Sequence, residues 1–329
     1  MQPFNFDSAK DEMAAAAAGA KSQKTRFIAG GTTLVDLMKL HVEIPNTVVD
    51  LSSLPLTSVE EKSGSIFVGA MLTNSEMAHH PLIKENFPVL SEALLSGASV
   101  QLRNLATTGG NLLQRTRCSY FRDTSCACNK RQPGSGCSAL DGQNRTHAIL
   151  GTSDKCIATH PSDMCVALAA LGARVHTLSA STNQMSRTIE FSDFHRLPGQ
   201  TPHIETNLHP GELITAVEIP KTPWFKNSKY VKVRDRASYA FALTSAAVAL
   251  DIKDGLVRHA RVALGGVGTI PWRAKEAETI LEGRKLDASV IAQAADRAMV
   301  SVHLRKQNAF KSEMAKRTLV RALLELGGV

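Results

Sequence analysis

A chain of 329 residues is long enough for two or three domains, each with a core of its own. Its 43% hydrophobic content is ordinary for a globular protein, and the absence of any apolar run of about 18 residues excludes a membrane-spanning helix. Thirty-eight basic against thirty acidic residues give a net charge of +8. No basic strand studded with aromatics, recognition-helix pattern or zinc finger accompanies that charge, which argues against nucleic acid and for acidic protein partners or an anionic cofactor.

The N-terminus shows no charged segment followed by an apolar core. Met13 to Ala18 reads instead as an alanine-rich helix, so no secretion signal is expected. Arg26-Phe27-Ile28-Ala29 reads as a short buried strand. Leu34, Leu37 and Met38 then fall on one face of a helix. Between them lie Gly30, Gly31, Thr32 and Thr33, a turn with no bulky side chain. Thr32 and Thr33 are natural N-caps, and amides at such a helix start point outwards, a plausible seat for phosphate or pyrophosphate. The competing reading is a plain tight turn, and the dinucleotide fingerprint G-x-G-x-x-G is absent.

Thr47 to Leu51 and Ser65 to Ala70 read as further strands, completing a small β-α-β unit. From Asn74 to about Gly97 the pattern is helical, interrupted by Pro81 and Pro88. A second turn of the first type follows, Ala106-Thr107-Thr108-Gly109-Gly110-Asn111-Leu112. Two such turns in one chain suit the gripping of opposite sides of one extended ligand.

Residues 116–158 change character. Cys118, Cys126, Cys128, Cys137 and Cys156 lie among Gly, Pro, Asn and Asp with little apolar periodicity. A loop of that length in a compact domain needs a tie. Disulfides require an oxidising compartment, zinc favours close C-x₂-C pairs that are missing here, and an iron–sulfur cluster takes four thiolates at wider spacings. The residues alone leave all three open. Cys165 reads as a core thiol on an apolar helix face.

Helical periodicity resumes at Pro161 to Leu171, with Pro161 expected in the first turn and Ser162 and Asp163 as caps or ribose ligands. Strands are expected at Arg174 to Leu178, Arg187 to Phe191, Leu213 to Ile219 and Tyr230 to Val233. Pro220 to Lys226 is a candidate boundary. Beyond it, Ala240 to Ile252 and Leu256 to Gly265 flank the hairpin turn Lys253-Asp254-Gly255. Helices are expected near 274–283, 287–305 and 312–326. The fold class is α+β, with no internal repeat.

Taken together, Ile28 to Leu34, Ala106 to Leu112, His160 to Asp163 and Gly211 to Ile219 resemble the FAD-binding subunits and domains of the xanthine oxidase family of molybdenum hydroxylases. The strand–hairpin–helices tail resembles the domain that accompanies them. Gly110 to Cys118, Cys128 to Arg131, Gly134 to Cys137 and Cys156 to Asp163 look most like the middle subunit of bacterial periplasmic aldehyde oxidoreductases. The resemblance implies an FAD-binding domain over 1–222, built of a small β-α-β unit and a larger mixed or antiparallel sheet and carrying the cysteine-rich insertion. A small α+β domain with a three-stranded sheet would follow over 227–329.

The same resemblance implies the sites. Ile28, Ala29, Gly30, Gly31, Thr32, Thr33 and Leu34 would hold the FAD pyrophosphate, and Thr108, Gly110 and Asn111 would form a second clamp. Asp163 would hold the ribose or adenine side, with Lys232 and Tyr239 near the isoalloxazine. Arg103 and Arg117 would stabilise phosphate or cluster charge, or simply be solvated. Cys118, Cys128, Cys137 and Cys156 would ligate a [4Fe–4S] cluster, with a swap of Cys126 for Cys128 left open. The implied function is electron transfer in a heterotrimer with a molybdopterin-binding large subunit and a [2Fe–2S] small subunit. Electrons would pass on to an external acceptor, for instance an acidic redox protein. No catalytic residue for aldehyde chemistry is expected in this chain. The resemblance points to the periplasm by export with a signal-bearing partner, whereas the bare sequence points to the cytoplasm. Rival readings are a subunit of a related purine or heterocycle hydroxylase, a self-contained flavin oxidase, and a zinc-stapled scaffold that is no enzyme. Only 5% aromatic residues speak against the self-contained oxidase.

Overall fold

Strand β1 (Asn5–Ser8), helix α1 (Glu12–Ala20), strand β2 (Thr25–Ile28), helix α2 (Leu34–Lys39) and strand β3 (Thr47–Asp50) make the first subdomain of the computed structural model, which describes residues 1–180 and 186–328. The sheet is parallel in the order β1-β3-β2. Val48 and Val49 are buried in its central strand, and α1 opens on Asp11, whose carboxylate accepts from the Ala14 amide. Strand β1 is exposed throughout and carries no alternation of apolar residues. Its existence rests on backbone pairing with β3.

The second subdomain contains β4 (Val59–Lys62), β5 (Ser65–Gly69), α3 (Asn74–His79), α4 (Pro81–Asn86), α5 (Pro88–Ser96), α6 (Val100–Arg103), α7 (Thr108–Leu112), α8 (Ser119–Arg122), α9 (Asp163–Leu171), β6 (Arg174–Leu178), β7 (Ser186–Glu190), α10 (Phe191–Phe194) and β8 (Leu213–Pro220). Its five strands are antiparallel in the order β4-β5-β8-β6-β7. Ser65 to Gly69 therefore belongs to this sheet, not to the small β-α-β unit expected from the sequence, because it pairs with β8 through Ile66 and Val68. Pro81 and Pro88 each open a new helix, and a capping box between Thr73 and Glu76 starts α3. Pro161 lies before α9 and not in its first turn. Ser162 is the cap, its hydroxyl accepting from the Cys165 amide at 3.0 Å.

The third unit holds β9 (Ser228–Val233), β10 (Thr244–Lys253), β11 (Leu256–Gly265), β12 (Trp272–Arg273), α11 (Lys275–Leu281), α12 (Ala288–Arg297) and α13 (Phe310–Gly327). Asp254 and Gly255 both take positive φ, as an Asp-Gly hairpin turn between β10 and β11 requires. The sheet has four strands in the order β12-β11-β10-β9, where three were expected. The fourth, two residues long, is too short to carry a periodic signal. Val329, the last residue of the expected 227–329 unit, lies outside the described residues.

Between Leu113 and Pro161, helix α8 is the one helix or strand of the described chain. The exit of this stretch is anchored in the third unit. Ile149 and Leu150 are buried in its core, and both amides donate to the Val267 carbonyl.

Candidate flavin cleft and cysteine pocket

A cleft of about 920 Å³ runs between the three units. One wall is the turn from Ile28 to Leu34, which follows β2. Among the described residues, the amides of Gly30, Gly31, Thr32, Thr33 and Leu34 donate to no acceptor of the chain. The Thr32 and Thr33 hydroxyls are likewise uncommitted; Thr33 occupies the N-cap position of α2 without making the expected cap bond. Buried or half-buried backbone donors are normally paired. A row of unpaired ones facing a cleft fits an anionic ligand such as a pyrophosphate.

The opposite wall behaves differently. The amides of Thr108, Gly109, Gly110 and Asn111 are all spent on Leu72, Ala70 and Thr107. Thr108 is fully buried, its hydroxyl donating to the Leu72 carbonyl at 3.0 Å, and it does not line the cleft. Thr107, Gly110 and Asn111 face the ligand space from this wall. The Asn111 side-chain oxygen accepts from Ser162 Oγ at 2.6 Å and Gln114 Nε2 at 2.7 Å. Its amide NH₂ is left to donate. Gly30 lets the walls meet: a Cβ there would lie 1.7 Å from the Leu105 carbonyl oxygen. Arg103 lines the same space, with one guanidinium nitrogen on the Gly97 carbonyl and its Nε buried without an acceptor in the chain.

At the floor, Lys232 Nζ donates to Asp163 Oδ2 at 2.7 Å and Tyr230 Oη to Asp163 Oδ1 at 2.6 Å. Burial, reinforced by the Asp163 charge, raises the Tyr230 phenol well above its usual range, so it stays a donor. Asp163 and Lys232 are thus a buried pair on the cleft floor, and each carboxylate oxygen keeps a further acceptor site. Tyr239 sits on the rim in the left-handed region (φ 51°), its carbonyl gripped by Arg236 and its ring exposed. Such a conformation in a tyrosine costs about 1–3 kcal/mol and persists where surrounding contacts hold it.

Sequence reasoning missed a charge network beneath the cleft. Arg115 spans Glu205 (2.7 Å) and Glu43 (2.5 Å), and Lys130 reaches Glu205 at 2.7 Å. Burial alone would raise the Glu205 carboxyl, but the charges of Lys130 and Arg115 overcome it and hold it near 2. These partners are 72 to 90 residues apart in sequence, and no local pattern links them.

His160 and His195 also border the cleft, their Nε2 atoms 3.2 Å apart, with His195 Nε2 3.0 Å from the Leu112 carbonyl. With Cys165 they place three metal-capable atoms within 4.8 Å, the one such group among the described residues. Burial pushes the Cys165 thiol up to about 12 and His195 down to about 4. His160 is driven well below its usual range by burial and by His195. Both imidazoles are therefore neutral in the fold at neutral pH. Unfolding exposes them to water, where a histidine takes up its proton near pH 6.5. The unfolded state then binds more protons between about pH 6.5 and 4, so stability falls as pH drops through that window. His195 alone removes about 1.4 kcal/mol per pH unit there. Thermal unfolding followed by calorimetry from pH 7 to pH 4 should show a steadily falling midpoint, with a shallower slope in His195→Asn; a flat profile would contradict the burial.

Beside the cleft, Cys118, Cys128, Cys137 and Cys156 converge on a second, smaller pocket. Cys126 does not line it, so the geometry favours Cys128 over a swap. The backbones of Cys128 and Cys137 form an isolated bridge. Burial pushes Cys118 up to about 12 despite amides of Phe121 and Tyr120 aimed at its sulfur, and the neighbouring Cys128 and Cys156 add to the rise. Amides of Ala139, Ile157 and Leu140 face Cys137, and the Ala158 amide lies 3.4 Å from Cys156 Sγ. Thiols gathered on one pocket, with backbone amides aimed at Cys118, Cys137 and Cys156, are suited to hold a cation as thiolates. A tetrahedral zinc ion would draw its sulfurs to about 3.8 Å from one another, given Zn–S bonds of about 2.3 Å. No three of these sulfurs lie within 4.8 Å of one another. Lys130 and Ala158 line both cavities and form the wall between them.

Residues 2–222 match the FAD binding domain in molybdopterin dehydrogenase, and residues 229–326 match the CO dehydrogenase flavoprotein C-terminal domain. The chain is 48% identical to the aldehyde oxidoreductase FAD-binding subunit PaoB of Escherichia coli, covering 99% of this chain and 98% of that one. It is 26% identical to the glyceraldehyde dehydrogenase medium chain of Sulfolobus acidocaldarius, over 86% and 82%. Among solved structures, quinoline 2-oxidoreductase from Pseudomonas putida superposes with a TM-score of 0.77 at 24% identity over 99% and 98% of the two chains, a likeness of fold. The free amides of the first turn, the closed second turn and these two matches lead to one conclusion: the chain belongs to the FAD-binding subunits of the xanthine oxidase family of molybdenum hydroxylases, as the FAD-containing part of an oxidoreductase complex.

Proposed function

We propose that this chain is the electron-transfer flavoprotein of a molybdenum-dependent aldehyde oxidoreductase, and that it carries a [4Fe–4S] cluster on Cys118, Cys128, Cys137 and Cys156. The observation that carries the aldehyde assignment is the end-to-end 48% identity to an aldehyde oxidoreductase subunit. In this reading the chain works in a heterotrimer with a molybdopterin-binding large subunit, where the aldehyde is oxidised, and a [2Fe–2S] small subunit. It delivers electrons to an external acceptor.

Flavin, when bound, supplies the exchange between two-electron and one-electron transfer. The chain's own part is placement. The amides of Gly30 to Leu34 and the Arg103 guanidinium would hold the pyrophosphate, and the Asn111 amide would donate from the facing wall. Asp163 and Lys232 would orient the remainder from the floor, and Tyr239 would cover it at the rim. Thiolates at the second pocket would be steadied by the amides aimed at them. By the same reading the chain is exported with a signal-bearing partner and acts in the periplasm; cell fractionation with the partner's signal deleted tests this.

The test of the whole reading is a visible spectrum of the purified chain, with iron, zinc and acid-labile sulfide assays on the same sample. The expected result is flavin absorption over a broad brown shoulder, with about four irons and four sulfides per chain. Flavin with no iron would remove the cluster and leave the flavoprotein. A colourless protein containing zinc would overturn both.

A further inference from the structure

Lys311 is fully buried near the start of α13, yet it has no carboxylate partner among the described residues. Its ammonium donates to three backbone carbonyls: Thr146 at 3.0 Å, His147 at 3.1 Å and Gly266 at 2.6 Å. An isolated buried cation is costly, and carbonyl dipoles offset only part of that cost. Burial pulls the Lys311 ammonium down to about 7, and the nearby Arg145 guanidinium pushes the same way.

The carbonyls it holds are not arbitrary. Thr146 and His147 lie on the exit arm of the cysteine stretch, and His147 Nε2 stands 3.1 Å from Cys118 Sγ. The ammonium and the Cys118 sulfur thus flank a single residue. Neighbouring groups of the same segment grip the same arm. Asn308 Nδ2 donates to the Ala148 carbonyl, the Gln307 side chain accepts from the Asn144 amide, and the His303 amide donates to the Ile149 carbonyl. The third unit therefore clasps the cysteine stretch by several neutral ties and one charged one.

We propose that Lys311 is a positioning and charge-compensating residue for the cysteine pocket, a second internal cation beside the wall residue Lys130 that helps balance the negative charge of four thiolates and their metal cluster. The inference rests on the [4Fe–4S] reading above. Four thiolates leave a bound cluster with net negative charge in a half-buried site, and charge and hydrogen bonding around such clusters set their potentials. The mismatch of a buried cation with no anion is resolved once the pocket is loaded.

The experiment compares wild type, Lys311→Met, Lys311→Gln and Asn308→Ala as full-length chains in the assembled complex. The readouts are iron, sulfide and FAD per chain, thermal midpoint, and the cluster potential by EPR-monitored redox titration. Lys311→Gln keeps a donor but loses the charge. It is expected either to lose at least half of its iron while keeping its flavin, or to keep the iron and titrate at a more negative potential. Lys311→Met should show the larger effect, and if it does not accumulate, Lys311→Gln decides. Asn308→Ala removes a neutral tie, so it should lower the thermal midpoint while leaving iron content and potential at wild-type values. Lys311→Gln with wild-type iron and potential, or Asn308→Ala with an equal loss of iron, would overturn the inference. A wild-type chain lacking iron would instead sink the cluster reading beneath it.

Discussion

Gly30→Ala should weaken FAD binding by about tenfold to a hundredfold, the effect of an overpacking cost of roughly 1–3 kcal/mol at a site that cannot relax. The added Cβ would fall 1.7 Å from the Leu105 carbonyl oxygen and 2.5 Å from its carbon. Both are backbone atoms, so relief requires the two walls of the cleft to part. Gly31→Val acts by another route. Gly31 has φ +67°, and its Cβ would meet the Val35 side chain at 3.2 Å, so the cost is conformational and falls on the turn that presents the free amides. Gly172→Ala is the control. Gly172 also has positive φ, at the end of α9, but its Cβ would meet nothing within 4 Å. It should lose about 1 kcal/mol of stability and keep its flavin. Flavin per chain after gel filtration, together with the dissociation constant from fluorescence quenching, separates the three. Full flavin occupancy in Gly30→Ala would remove the first turn from the site.

How much of this was legible beforehand follows from where each signal resides. The Gly30-Gly31 turn could be read because the chemistry that matters there is local: small residues between a strand and a helix. Helices α4 and α5 could be read because prolines mark their starts. Strand β1 could not, since all four of its residues are exposed and only pairing with β3 makes them a strand. Strand β4, Val-Glu-Glu-Lys, hides for the same reason. The two Thr-Gly-Gly turns look alike in sequence, yet one leaves its amides free and the other spends them on Ala70, Leu72 and Thr107. That difference is tertiary, and no local pattern carries it. Arg115, Glu43 and Glu205 meet only because the fold joins the first subdomain to the loop before β8. No local pattern marks Lys311, which the fold alone buries.

Cys137→Ser should strip most of the iron from the chain while flavin falls by less than half. Cys137 sits in a backbone bridge with Cys128 and receives amides from Ala139, Ile157 and Leu140, so its sulfur is fixed toward the pocket. Serine fits that space but offers a hard, weakly acidic oxygen where a soft thiolate is required. With one of four ligands lost, the cluster should be labile to chelators and oxygen. Flavin loading depends on different groups, the free amides of the first turn, so it should outlast the iron. It should not be untouched, because α2 buries Leu37 against Phe121 and Cys128. Asp36 of the same helix also pairs with Arg117 and Arg122 from the cysteine stretch. A loosened stretch therefore tilts the helix that carries the flavin turn. Cys126→Ser supplies the contrast, since Cys126 lies outside the pocket and should leave iron, sulfide and flavin unchanged. Iron retained in Cys137→Ser and lost in Cys126→Ser would transfer the ligand role between them. Iron retained in both would take Cys137 out of the ligand set.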